Sequence, residues 1–278
     1  GNRVYNNGGI RILDPADKAV AQVRRVRVLN NVAASGSGGL ECATTATVTD
    51  SEFSGNVSTN NGTVSVINMS TGILTMRNCR VTNNSFYKCK GAVTVGDWSR
   101  LYARNVLSAG NRGLEGAAAT ADYPARGVWV HTSAVLEFIN CTVANNVSPS
   151  TVNGGFSAGG LSNSAKTIRN CVFWGNRGIA GEGSANAEIS SVNTTVKNCC
   201  WPEAPDADGC TSADPKLSKL RRYRYYPSPA GSCYEAGDKT GWTDADVDLA
   251  GNPRLRDGKI DIGCYQAVPL PGLLLMLK

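Results

Sequence analysis

One histidine, three methionines and an aromatic share of 7% are all that 278 residues hold of those types. With His131 alone, any Ser-His-Asp or Cys-His relay has to run through one position, and that position follows GVWV, which alternates like a strand. No apolar run approaches the roughly 20 residues of a membrane-spanning helix, and the C-terminal LLLML is far shorter. No C-x-x-C is matched by a second metal-type cluster, which argues against zinc. Charge of one sign is scarce as well: the net charge of +6 comes from scattered basic residues and does not argue for nucleic acid.

What the chain has in quantity is Gly, 31 residues, and Asn, 25 residues, both pointing to turns rather than helices. Of the 25 Asn, 24 precede residue 200, whereas 8 of the 11 prolines follow it, so the organisation changes near Trp201. The Asn residues recur in a skeleton: RNCRVTNN at 77–84, INCTVANN at 139–146 and RNCVFWGN at 169–176. Anchored on the closing Asn, the repeats fall at Asn2, Asn31, Asn56, Asn84, Asn111, Asn146 and Asn176, spaced by 25 to 35 residues, which is solenoid spacing.

Three apolar columns keep fixed offsets from these anchors. Five residues back lie Val26, Ser51, Cys79, Val106, Cys141 and Cys171, with Cys199 opening a further repeat. Three residues earlier lie Val23, Val48, Met76, Ala103, Phe138, Ile168 and Val196. Two residues after the Cys column lie Val28, Phe53, Val81, Ser108, Val143, Phe173 and Trp201. The step of two puts two columns on one strand face, and the step of three breaks the alternation, which marks a bend. These offsets predict an all-β, right-handed parallel β-helix of about seven coils over residues 1–200, a cap over 201–266 and a short apolar tail over 267–278. The closing Asn residues are expected to form an amide ladder from coil to coil. Because Gly1 and Asn2 are the closing half of a repeat, the chain is expected to be the interior of a longer protein, with an exposed first edge.

The motifs GGL at 38–40, GGF at 154–156 and NC-x-[VF]-x-x-N resemble those of pectin-lyase-like β-helix proteins of bacterial surfaces and secretions. The ending is similar to the same group: ADPKL at 213–217, SCYEAGD at 232–238 and DLAGNPRLRDGKIDIGCYQ at 248–266. The resemblance implies the solenoid fold and a secreted or cell-surface bacterial location. It leaves activity open, since the group includes polysaccharide lyases, glycosidases and members without assigned chemistry.

Ten cysteines in such a chain invite disulfides. Cys79, Cys141, Cys171 and Cys199 are explained as core filling, since side chains stacked in a column point the same way. Cys200, Cys210, Cys233 and Cys264 lie outside that column and permit three pairings. The preferred one joins Cys200 to Cys210 across a Pro-rich loop and Cys233 to Cys264 across the two family-like motifs, leaving Cys42 and Cys89 unassigned.

Candidate chemistry concentrates in the longest repeat, whose insert RGLEGAAATADYPARGVW offers Asp122, Tyr123, Arg126 and Trp129. A ring on which a sugar stacks, with an acid and a base to bond hydroxyls, makes these the expected ligand-binding residues. No catalytic residue is assigned. Glycoside hydrolysis needs two facing carboxylates, but Asp50, Glu52, Asp97, Glu137 and Glu188 occupy different offsets. Arg77 and Arg169 share an offset without the acidic cluster that a lyase base would need. In DADVDLAGN, Leu249 and Leu255 stand where a calcium loop wants Gly and Glu, which favours an acidic turn over a calcium site, so no cofactor is expected. The sequence therefore reads as a non-catalytic extracellular module contacting a polysaccharide or cell-surface glycan. The alternative is a carbohydrate-active lyase or hydrolase.

Overall fold

The structure, a computed structural model, describes residues 1–6, 8–13, 20–59, 67–69, 71–87, 90–114, 126–148, 154–158, 164–178, 189–191, 193–219 and 224–267. The described residues contain strands and turns but no helix, and none is therefore long and apolar enough to cross a membrane. The strands pair in parallel into three sheets that wrap the chain into a β-solenoid. A short sheet runs from Arg3–Val4 to Arg177–Gly178, and a middle sheet from Ile10–Ile12 to Ile189–Ser191. A long sheet runs from Ala21–Arg24 to Thr194–Lys197. The short and middle sheets have seven strands each, and five turns have neighbours on both sides. The solenoid thus makes about five turns, slightly fewer than the coils expected from the repeat anchors.

The three apolar columns form the core. Val48, Met76, Ala103, Phe138 and Ile168 are in register on the first half of the long sheet and buried. Phe53, Val81, Ser108, Val143 and Phe173 are in register on the second half and buried as well. Cys79, Cys141, Cys171 and Cys199 are fully buried between these two columns. From the middle sheet, Leu40, Ile67, Val93, Val128 and Phe156 close the core. Phe156 packs against Phe138 and Phe173 with ring centroids 6.2 and 5.7 Å away.

The repeat skeleton has a physical cause at each letter. The residue before the Cys column has positive φ in every coil: Arg25, Asp50, Asn78, Asn105, Asn140, Asn170 and Asn198, between 49° and 55°. That left-handed residue is the bend, and Asn pays least of the non-glycine residues to adopt it. The residue before the closing Asn is also left-handed, and there Asn and Gly alternate: Asn30, Gly55, Asn83, Gly110, Asn145, Gly175. The alternation is steric. A Cβ on Gly55, Gly110 or Gly175 would lie 2.2, 2.8 or 2.4 Å from the Oδ1 of the Asn one coil below.

The closing Asn residues form the expected ladder. Asn31, Asn56, Asn84, Asn111, Asn146 and Asn176 each accept on Oδ1 from the backbone N–H of the preceding Asn, at 2.7 to 3.1 Å. From Asn31 to Asn146 each side-chain amide donates to the next Oδ1. From Asn56 onward each also donates to a carbonyl of the preceding coil: Val28, Phe53, Val81, Ser108 and Val143. Buried amides left without partners would each cost about 1–3 kcal/mol; here donors and acceptors are consumed along the stack.

The described residues of 201–267 carry no strand; Trp201, Ala204 and Cys210 pack against the main core, and from Leu217 on the chain folds back over the outer face of the long sheet. That explains outward apolar residues on this sheet: Leu107, Ala109 and Ala144 pack under Tyr225, Leu249, Cys264 and Tyr265, while Val172 packs under Cys233 and Ile262. The bend Asn residues dock it. Asn105 donates to Val247 O, Asn140 to Asp261 O and Gly263 O, and Asn170 to Asp238 O. Arg80 reaches Leu249 O and the Tyr265 hydroxyl, and Arg169 pairs with Asp238 at 2.8 Å.

Candidate functional site

The outward row of the middle sheet runs Arg11, Glu41, Asn68, Thr94, Trp129, Ser157, one residue per coil. Its first two members form an ion pair at 3.2 Å. Trp129 is the aromatic side chain of the row, half-buried, because position four of a five-residue strand (Arg126–Val130) points away from Val128 and Val130 in the core. Lys90, from the preceding coil, places Nζ 4.1 Å from the Trp129 ring centre, a contact worth about 0.5–2 kcal/mol depending on desolvation. His131, two residues on, stands edge-on to the same ring at 5.6 Å.

His131 belongs to a polar corner between the middle and long sheets. Its Nδ1 lies 3.3 Å from Asp97 Oδ1 and 3.0 Å from Ser133 Oγ. The Ser133 hydroxyl donates to Asp97 and faces the backbone N–H of Trp98, whose ring is exposed. Below this corner Lys166 is buried, with Nζ donating to Thr132 O at 2.8 Å, and burial lowers its proton affinity. Acid, imidazole, hydroxyl and amine thus meet, yet the order is not that of a hydrolytic relay. Such a relay needs the serine on one ring nitrogen and the acid on the other, whereas here both contact Nδ1 and the serine gives its proton to the acid.

Of the expected site residues, Trp129 lies at the centre of this face. Arg126 opens the same strand, opposite Gly91. Asp122 and Tyr123 lie outside the described residues, as do Glu188 and Cys89. Lys90, Ser133 and Lys166 were missed, and Asp97 was read only as an acid without a matching partner, because coil stacking brings them together across separations that local patterns do not show. The other acids read from the sequence are matched to cations or amides of adjacent coils: Asp50 to Arg24 and Asn78, Glu52 to Arg27, and Glu137 to Arg104. In the acidic turn, Asp248 is buried, and its carboxylate accepts from the N–H groups of Ala250, Asn252 and Gln266 and from the Asn252 amide. Among the described residues no group of three or more His, Cys, Asp or Glu is placed to hold a metal.

Among the described cysteines no disulfide is present. The two preferred pairings are not brought together. Cys200 points outward, into the cluster with Val172, Cys233 and Ile262, whereas Cys210 points into the main core beside Cys199. Cys264 packs with Leu107, Ala109 and Tyr265, apart from Cys233. Comparison of the chain with protein-family models, curated proteins and solved structures returned no match.

Proposed function

We propose that this protein is a non-catalytic module, secreted or displayed on a bacterial surface, that contacts a polysaccharide along the outer face of the middle sheet around Trp129. The supporting observation is the Trp129 ring, held on a rigid strand between Lys90 and His131, with Asp97 and Ser133 beyond it. An indole face offers a platform for the C–H face of a sugar, and the surrounding charged and hydroxyl groups suit its hydroxyls or carboxylates. The solenoid repeats and cap motifs favour placing the chain with the pectin-lyase-like proteins.

The second reading, a carbohydrate-active enzyme, draws on Lys166 and the Asp97–His131–Ser133 corner, the nearest approach to acid–base chemistry at this face. Incubating the protein with acidic and neutral polysaccharides, with and without calcium, separates the two. The proposal expects neither ultraviolet-absorbing unsaturated products nor new reducing ends. Products that vanish on Asp97→Asn or Lys166→Met would establish the enzyme instead.

A further inference from the structure

Two thiols from different parts of the chain meet where the cap closes on the last coils. Cys200 ends the Cys-Cys pair that follows the final long-sheet strand, and its backbone bridges Val172 and Thr211. Since successive residues of a strand face opposite ways, Cys199 enters the core and Cys200 faces the cap. Cys233 comes down from the cap in SCYEAGD and is fully buried against Val172, Cys200 and Ile262. Its carbonyl accepts from Ile262 N–H at 2.9 Å, and its neighbour Ser232 lies 3.6 Å from Cys200 Sγ. The two side chains are close enough to hydrogen bond, and burial with this thiol contact pushes Cys233 well above the ordinary thiol range.

The geometry points to a Cys200–Cys233 disulfide that staples the cap to the last coil. The stacked thiols Cys141, Cys171 and Cys199 do not join in. They leave one column in parallel, and the Cys171 and Cys199 sulfurs accept from the backbone N–H of Cys141 and Cys171, at 3.4 and 3.3 Å. The oxidant is a small-molecule or protein disulfide met during folding, before docking buries both sulfurs. One thiolate attacks that disulfide, forming a mixed disulfide and releasing one thiol. The second then attacks the mixed disulfide, closing Cys200–Cys233 and releasing the other thiol. Two protons and two electrons leave the protein, and the oxidant is reduced to two thiols.

The test is to refold the full chain in oxidised and reduced glutathione, block remaining thiols by alkylation, and map peptides without reduction. The expected result is one link, between the peptides of Cys200 and Cys233, with Cys141, Cys171 and Cys199 alkylated only after unfolding. A link between Cys200 and Cys210 or between Cys233 and Cys264, or alkylation of both Cys200 and Cys233 in the refolded protein, overturns the proposal. Hydrogen exchange at Gly237, Ile262 and Gly263, whose amides are bonded within the docked cap and to the coils, should slow roughly 30- to 1000-fold on oxidation. Cys233→Ser should abolish that dependence on oxidant. Equal exchange in oxidised and reduced protein would refute the staple.

Discussion

Asn84 accepts two hydrogen bonds on its side-chain oxygen, from the N–H and the amide of Asn56, and its own amide serves Phe53 O and Asn111. Asn84→Ala strips partners from both neighbouring coils at a fully buried position. It should cost roughly 2–4 kcal/mol in urea unfolding; a loss below about 1 kcal/mol would mean water replaces the ladder. The alternating Asn and Gly column makes a second test. Gly110→Ala places a Cβ at φ 64° and 2.8 Å from Asn83 Oδ1. The backbone alone costs about 1–2 kcal/mol, and the clash adds to it. In an Asn83→Gly background the clash is gone, so Gly110→Ala should cost less there; equal costs in both backgrounds would contradict the steric account of the alternation.

At the scale of elements, the docked cap gives a stability that depends on acid. Asp238 is held down to about 2 by the backbone N–H and hydroxyl of Thr240, helped by Arg169. A carboxylate whose folded value is depressed stabilises the fold above its unfolded value of roughly 4 and loses that contribution as pH falls towards the folded value. Between about pH 4 and pH 2 the protein should therefore lose stability faster than Asp238→Asn; parallel pH profiles would show that the pair contributes nothing to docking. The coil elements were legible in sequence because a solenoid repeats its environment: the same inward position recurs, so Met76, Cys79 and Val81 each have counterparts in every repeat. The docking of the cap was not, because it joins residues such as Arg80 and Tyr265 with no common period. A trace of it was present in VLSA, TVA and VFW, where Leu107, Ala144 and Val172 interrupt the alternation of a strand with one face in water. At the site, Trp129 was legible as a ring of the longest repeat's insert, whereas Lys90 became its neighbour, and Asp97 that of His131, only once the coils were stacked in register.

For the whole molecule, stacking does two things. It makes a stiff rod whose stability is shared between adjacent turns, and it turns one residue per coil into a continuous outer row. On the middle sheet that row changes from the ion pair Arg11–Glu41 to Trp129 over a few coils, which would give the proposed polysaccharide ligand a direction along the rod. The strand Arg126–Val130, which follows the insert of the longest repeat in sequence, carries Trp129, the outward ring of this sheet. The most direct test is titration of the protein with a panel of acidic and neutral polysaccharides, alongside Trp129→Ala and the Trp129→Ala, Tyr123→Ala double variant with unchanged circular dichroism. The account predicts binding by the native chain that weakens roughly tenfold or more with Trp129→Ala. Binding that survives in the double variant would contradict it.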